Sequence, residues 1–394
     1  MNLSLKGRGP AAWRNRLAER PRPDDEPRPD DDRRRGIWFS LLAFGVSRLA
    51  TLAVALAVAR VTEPSLLEIL SRWDGGWYLE IVERGYPEAV PTGFGGQAQS
   101  TLAFFPGYPL LIQAGSQVTG LSPALVGIAL STLAGAAASV VLWLLAERVA
   151  DARTANRTVM LLCFLPSAFV FSMVYTEALF VLLVAVCLLA LVREHWLTAG
   201  AAAALAGLVR PTGLVLTVCC AWAAVVAIRD RRSWRPAIAL LLAPTGTLAF
   251  FGYLRLHTGD WLAYVEATKR GWGQGFDFGV TTFETLQLVV AERRLTMYVL
   301  AVAVTAVALV VALYLLVRWP LPAPLLIYVL GTAGIALLSS NTTSLPRYLM
   351  VAFPVLIPVA RQLSDDVYPM VVAASATLMA TLFWTTSLVT WLAP

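Results

Sequence analysis

Ionisable and aromatic residues that interrupt apolar stretches are where this chain could do chemistry. The first such place is Arg72-Trp73-Asp74-Gly75-Gly76-Trp77-Tyr78, just after the first long apolar run. Read plainly, Trp73, Trp77 and Tyr78 are interfacial belt aromatics around a solvated charge. Read as a site, Asp74 is a carboxylate held among rings. Partial burial makes a carboxylate more basic, as a general base requires, and the rings offer platforms for a sugar. The two glycines allow backbone to approach a ligand closely. Phe104-Phe105-Pro106-Gly107-Tyr108-Pro109 pairs amphipathic aromatics with prolines that interrupt a helix. It is either the start of a helix with belt aromatics or, through Phe105, Pro106 and Tyr108, the lining of a groove for an isoprenoid or acyl chain.

Three further positions carry costly charges. Tyr175-Thr176-Glu177 interrupts a nearly continuous apolar stretch. A carboxylate at mid-membrane costs about 2.5–3.5 kcal/mol, and less at a hairpin tip. Glu177 is either a favourable charge at a helix N-terminus or a site residue beside Tyr175. Arg210 ends an apolar run in Gly207-Leu208-Val209-Arg210-Pro211, and Arg347 opens another in Pro346-Arg347-Tyr348. Arginine binds phosphate in a bidentate manner; the plainer alternative is snorkelling to the interface. Arg48, inside the first apolar run, needs a partner or a path to water.

The elements that must hold these residues are helices in lipid. The chain has 394 residues, 58% hydrophobic and 14% charged, with a mean hydropathy of +0.67. Soluble domains carry about 25% charged residues. The apolar runs are long and lack a two-residue period, so an all-α polytopic membrane protein is expected. Ten of the 31 Lys and Arg residues fall in residues 1–35, whose Pro/Asp/Arg-rich end reads as a disordered cytoplasmic tail ahead of a membrane domain over 36–394. The first apolar stretch begins at Ile37 and is too long for a cleavable leader. A net charge of +6 does not imply nucleic acid, because the basic residues lie in the tail and in short loops rather than in one stripe. Cys163, Cys187, Cys219 and Cys220 all lie in apolar runs without a CxxC spacing, and the two histidines, His195 and His257, are far apart. These patterns indicate no metal centre and no disulfide framework. The glycine-rich Gly271-Trp272-Gly273-Gln274-Gly275-Phe276 reads as a flexible loop rather than a phosphate cradle.

Apolar runs over 37–61, 122–146, 155–173, 176–192, 197–210, 212–228, 237–255, 297–317, 321–338, 347–361 and 369–392 suggest eleven spans. The segment 104–118 is ambiguous. If it does not cross, Arg148, Arg153, Arg157, Arg193, the Arg229-Asp230-Arg231-Arg232-Ser233-Trp234-Arg235 loop, Arg318 and Arg361 all share the cytoplasmic side with the tail. That is the positive-inside pattern. The N-terminus is then cytoplasmic, and the loops 62–121 and 256–296 are external. Asp74, Glu177, Arg210 and Arg347, none of which entered that argument, all fall on the external face.

The segments RWDGGWY, FFPGYPLLI, PSAFVFSMVYTEALF, GLVRPTG, GDWLAYVEATKRGWG and SLPRYLMVAFP occur in this order from about residue 37 onward. This resembles the bacterial members of the PIG-V mannosyltransferase family. The resemblance implies a GT-C-like helical bundle with a large first external loop that bears the catalytic acid. It implies a polyprenyl-phosphate sugar donor, with mannose as the sugar, and chemistry on the non-cytoplasmic face of a bacterial plasma membrane. Asp74 matches the position of the acid. Many GT-C enzymes carry paired acidic residues there, whereas this chain has Asp74 followed by two glycines, so no metal and no cofactor are assigned. Asp74 would deprotonate an acceptor hydroxyl, Glu177 would assist catalysis, and Arg210, Arg347 and Tyr348 would bind the donor phosphate. Arg72, Trp73, Trp77, Tyr78, Phe105, Pro106, Tyr108 and Tyr175 would form the substrate groove. The acceptor would be a glycolipid or another component of the cell envelope. The competing reading is a transporter or flippase for a lipid-linked or small anionic solute. Against it, the charges gather at outer helix ends instead of at the midplane of repeated halves.

Overall fold

A computed structural model describes residues 30–290, 297–340 and 345–388. The architecture is a helical bundle, and among the described residues the extended structure is one isolated antiparallel bridge, Phe276 to Ser339. Five described helical segments are long and apolar enough to cross a membrane: Asp31–Val61, Pro123–Val149, Pro211–Asp230, Ala237–Thr258 and Val367–Leu388. Shorter apolar helices cover Glu177–Val192, Trp196–Val209, Val304–Arg318 and Ala323–Leu337. Among the described residues, helix length and composition do not confirm the expected count of eleven spans.

The chain runs through α1 (Asp30–Val61), α2 (Leu66–Leu70), α3 (Asp74–Arg84), α4 (Gly107–Thr119), α5 (Pro123–Val149), α6 (Ala152–Cys163), α7 (Glu177–Val192), α8 (Trp196–Val209) and α9 (Leu214–Arg231). It continues through α10 (Ala237–Leu242), α11 (Thr245–Thr258), α12 (Ala263–Trp272), α13 (Val280–Val290), α14 (Met297–Arg318), α15 (Ala323–Leu337), α16 (Leu345–Met350), α17 (Leu356–Gln362) and α18 (Val367–Leu388). Helix α1 starts at Asp30, so Arg33, Arg34 and Arg35 lie on its first turns rather than in an extended tail. The rest of the expected tail, residues 1–29, lies outside the described residues, as do Arg293, Arg294 and Ser344.

Helix α7 is the centre of the bundle. It is apolar on all sides and buried along nearly its whole length, as a helix surrounded by other helices must be. Helices α5 and α8 flank it, and α1 and α6 pack on α5. The antiparallel pair α7 and α8 brings the start of one helix and the end of the other to the same end of the molecule, and the candidate site is built there. Helix α4 has 13 residues, about 20 Å at 1.5 Å per residue. That is short of a hydrocarbon core about 30 Å thick, which fits a segment that does not cross.

Two of the expected spans are broken by proline. The 155–173 stretch becomes α6 and then a 3-10 turn over Ala168–Ser172. Pro166 lies between them and cannot donate to a helical ladder. Arg48 takes up carbonyls at this break, donating to Ala168 O at 2.6 Å and to Cys163 O at 3.3 Å. Its partners are backbone carbonyls, the Ser47 and Ser172 hydroxyls and flanking rings, with Phe44 5.0 Å from the guanidinium carbon. The 347–361 stretch is likewise split into α16, a 3-10 turn over Phe353–Val355, and α17. There Tyr328 Oη donates to the freed Val351 carbonyl at 3.0 Å.

Glycines set how closely α8 is packed. A Cβ on Gly200 would stand 2.9 Å from Ala239 Cα, and one on Gly207 would stand 2.6 Å from Thr247 Oγ1. These are the small-residue contacts expected for the Ala- and Gly-rich run.

Candidate active site

Asp74 opens α3 directly after Trp73, whose φ of 56° is a left-handed conformation. Such backbone costs about 1–3 kcal/mol outside glycine and persists only where its surroundings hold it. Those surroundings are visible. Val174 N donates to Leu70 O at 2.9 Å, and the Asp74 amide donates to Tyr175 Oη at 3.4 Å. Gly75 lies against Val174, where an added Cβ would be 3.2 Å from the Val174 carbonyl oxygen. The close approach at this glycine is thus to the protein's own backbone, while a Cβ on Gly76 would meet open space.

The chain enters α7 through Tyr175 and Thr176, both fully buried, and Glu177 is also fully buried. Glu177 lies in the first turn of α7, where the helix dipole favours a negative charge. Arg210 caps the end of α8 with an extended backbone, where the dipole favours a positive one. Glu177 Oε1 lies 2.5 Å from Arg210 Nη1 and 3.4 Å from Arg347 Nε. Arg347, on α16, also pairs with Asp74 Oδ2. Arg210 donates to Thr176 Oγ1 at 3.1 Å, and the Tyr78 and Thr176 hydroxyls are 3.3 Å apart. Two carboxylates and two guanidiniums thus form one charge-balanced cluster. Tyr348 borders both arginines, with its ring centroid 5.4 Å from the Arg347 guanidinium carbon and 5.8 Å from that of Arg210.

A cavity of about 420 Å³ opens in front of this cluster and is lined by Asp74, Tyr78, Arg210, Arg347 and Tyr348. That size suits a small polar group with an attached chain. Its aromatic wall comes from Phe104, Phe105, Tyr264 and Trp272, and a further wall comes from Thr332, Ile335, Ala336 and Val351. Trp77 is outside the lining but stacks on Phe104 at 5.9 Å and meets Trp272 edge-on at 5.6 Å.

The structure places Asp74, Tyr78, Phe105, Arg210, Arg347 and Tyr348 on the cavity wall and sets Glu177 and Tyr175 directly behind it. Glu177 does not line the cavity. It lies behind the arginines and pairs with both, a placement that suits the expected role of orienting the site. Arg72 points to α18 and donates to the Ser387 carbonyl at 2.6 Å. Tyr108 is buried, its hydroxyl 2.8 Å from Gly127 O and 2.7 Å from Ser131 Oγ. Tyr175 supports Asp74 from behind, and neither Trp73 nor Pro106 lines the cavity.

The glycine-rich segment 271–276, expected as a flexible loop, lies at the cavity wall. Instead, Trp272 closes α12, and Ser340 Oγ accepts from the Gly275 amide at 2.8 Å and donates to Gly273 O at 3.0 Å. A run of Trp, Gln and Phe among glycines was the available signal. Among the described residues, no group of three or more His, Cys, Asp or Glu side chains gathers.

The fold resembles two crystal structures of ArnT from Cupriavidus metallidurans. One, bound to undecaprenyl phosphate, aligns with a TM-score of 0.53 at 18% identity over 84% of this chain and 63% of that one. The other, in the apo state, aligns with a TM-score of 0.51 at 17% identity over 88% and 65%. The chain therefore spans a little under two thirds of the length of the ArnT structures. At these identities the likeness establishes the fold. No curated protein matches the sequence significantly. Residues 41–230, which carry Asp74, Glu177 and Arg210, match the family described as Mannosyltransferase (PIG-V), so just under half of this chain is similar to that family.

Proposed function

We propose that this chain is an integral-membrane glycosyltransferase that moves mannose from a polyprenyl-phosphate donor to a cell-envelope acceptor, with Asp74 as general base. The observation that carries the proposal is the placement of Asp74, Arg210 and Arg347 on one cavity wall. The family match supports the sugar chemistry. The undecaprenyl phosphate bound to one of the ArnT structures supports the class of donor.

In this reading Asp74 takes the proton of an acceptor hydroxyl. The acceptor oxygen forms a bond to the anomeric carbon as the bond from that carbon to the phosphate oxygen breaks. Polyprenyl phosphate leaves carrying the electron pair, and its extra negative charge falls to Arg347 and Arg210. Phosphate is a good enough leaving group that a second carboxylic acid is not required, in contrast with glycosidases. One displacement inverts the anomeric configuration.

The distribution of charge supports chemistry on the non-cytoplasmic face. At the end of α7 and α8 opposite the site lie Arg193, at the close of α7, and Arg148, in the last turn of α5. The turn between α5 and α6 joins this end, where Asp151 pairs with Arg361 at 2.5 Å. A basic end away from the site fits the positive-inside rule.

The test is sugar transfer by purified, reconstituted protein supplied with polyprenyl-phosphate mannose and membrane acceptor lipids, comparing wild type with Asp74→Asn. Transfer by wild type that falls about 10²–10⁴-fold in the variant is expected of a lost general base. Equal transfer by both would remove Asp74 from the mechanism. Solute transport that survives the substitution would favour a carrier.

A further inference from the structure

Arg347 is paired to Asp74 Oδ2, so that oxygen of the proposed base is engaged by a guanidinium. A carboxylate oxygen that accepts from a guanidinium has that lone pair occupied and cannot accept from an acceptor hydroxyl at the same position. The same guanidinium meets Glu177 through a different edge, Nε, at 3.4 Å. The two carboxylates differ in what can reach them. Glu177 is fully buried and absent from the cavity wall, whereas the Asp74 side chain is 25% exposed and part of that wall. A ligand entering the cavity can compete for Arg347 only against Asp74.

We propose that Arg347 is a two-position arginine: the donor phosphate displaces Asp74 from it, Glu177 holds it throughout as a pivot, and the base is thereby unmasked only after the donor is bound. This rests on the donor phosphate occupying the cavity described above.

Three observations support the exchange. The cluster holds two positive and two negative side chains. An Arg347 still paired to Asp74 therefore offers an incoming phosphate little net charge, and exchange supplies it. Guanidinium binds phosphate oxygens in the same forked geometry as carboxylate, so the two ligands are interchangeable on Arg347. Among the described residues, Glu177 Oε2 and Arg347 Nε are both buried without a hydrogen-bond partner, which leaves an acceptor and a donor for one another once Asp74 departs. Arg210 does not share in the exchange, since its paired carboxylate is the buried one. The consequence is compulsory order, donor before acceptor.

The experiment reads modification of Asp74 by a water-soluble carbodiimide, located by mass spectrometry, in purified wild-type protein with and without undecaprenyl phosphate. Binding of the lipid is followed in the same samples by thermal shift. Bound lipid is expected to speed modification about threefold or more, as when a partly exposed ion pair is broken. Arg347→Gln is expected to show the fast rate without lipid. Binding without any gain in rate, or with slower modification, overturns the exchange while leaving the donor reading in place. Slow modification in a folded Arg347→Gln protein overturns it as well. Absence of binding overturns the donor reading itself, and the exchange falls with it.

Discussion

Glu177 and Arg210 meet across the tips of α7 and α8, Oε1 to Nη1 at 2.5 Å, with the carboxylate fully buried and the guanidinium side chain 13% exposed. The pair joins the N-terminus of one helix to the C-terminus of its neighbour, and so ties the two walls from which the site is built. Removing one partner from a buried pair costs about 3–5 kcal/mol, because the other is left uncompensated. Glu177→Ala should therefore lower the thermal midpoint sharply in detergent, and more than Asp74→Ala, whose side chain is partly exposed. Thermal unfolding of the two variants side by side checks this. An equal, small loss in both would show that the tips are held by apolar packing alone.

Tyr175 tests positioning without charge. Its hydroxyl accepts the Asp74 amide hydrogen at 3.4 Å, and its ring lies under Arg347, with the centroid 5.3 Å from the guanidinium carbon. Tyr175→Phe keeps the ring and removes only the hydrogen bond, whose net worth is about 1 kcal/mol. The expected outcome is a fall in kcat of roughly fivefold with little change in donor KM and an unaltered thermal midpoint. A donor KM that rises while kcat holds would place the tyrosine in donor binding instead.

The charged half of the site was legible because charge in an apolar run is costly. Asp74, Glu177, Arg210 and Arg347 stood out for that reason, and loop polarity grouped them before any coordinates did. What stayed hidden had no such contrast. Ile335, Ala336 and Val351 line the cavity, yet in sequence they look the same as the core residues beside them. Arg48 gave no hint of its partners, because backbone carbonyls have no sequence signature. Pro166 and Pro354 lie inside otherwise continuous apolar runs, and apolarity alone does not show the breaks they impose. Tyr108 and Tyr175 looked like groove residues because burial cannot be read from residue type in a chain this apolar.

The opposite end of the molecule has its own carboxylate to test. Asp151 caps α6 by accepting from the Thr154 amide at 2.8 Å, and it pairs with Arg361 at 2.5 Å. Burial pushes its carboxyl upward, but the hydrogen bonds from Thr154 and the charge of Arg361 outweigh this and hold it below the usual carboxylate range. A depressed value in the fold means that its contribution is fully present above the unfolded value of about 3.9 and fades as pH falls through the lower folded one. Asn caps a helix as well as Asp does, so Asp151→Asn isolates the charge. The variant should melt below wild type near neutral pH, and the two curves should converge as pH falls through the depressed folded value. Parallel curves over the whole range would mean that the charge contributes nothing.

Gly213 links backbone packing to the site. It lies in the turn that follows Arg210, and a Cβ there would stand 2.6 Å from Gly207 N and 2.7 Å from Ala206 C. Those are backbone atoms of α8 and cannot rotate away. Gly213→Ala must therefore push the turn off α8 and draw Arg210 away from Glu177, whose 2.5 Å contact leaves no slack. Overpacking of this kind costs about 1–3 kcal/mol, and lost transfer activity should accompany it. Gly252, on α11, is the matched control, since an added Cβ there meets nothing within 4 Å. Replacing a helical glycine by alanine in open space stabilises by up to about 1 kcal/mol. Gly252→Ala should hold or raise the thermal midpoint and leave transfer unchanged, while Gly213→Ala lowers both. Equal behaviour of the two variants would mean that the turn carrying Arg210 is not braced against α8, and that Arg210 is held in place by its ion pair alone.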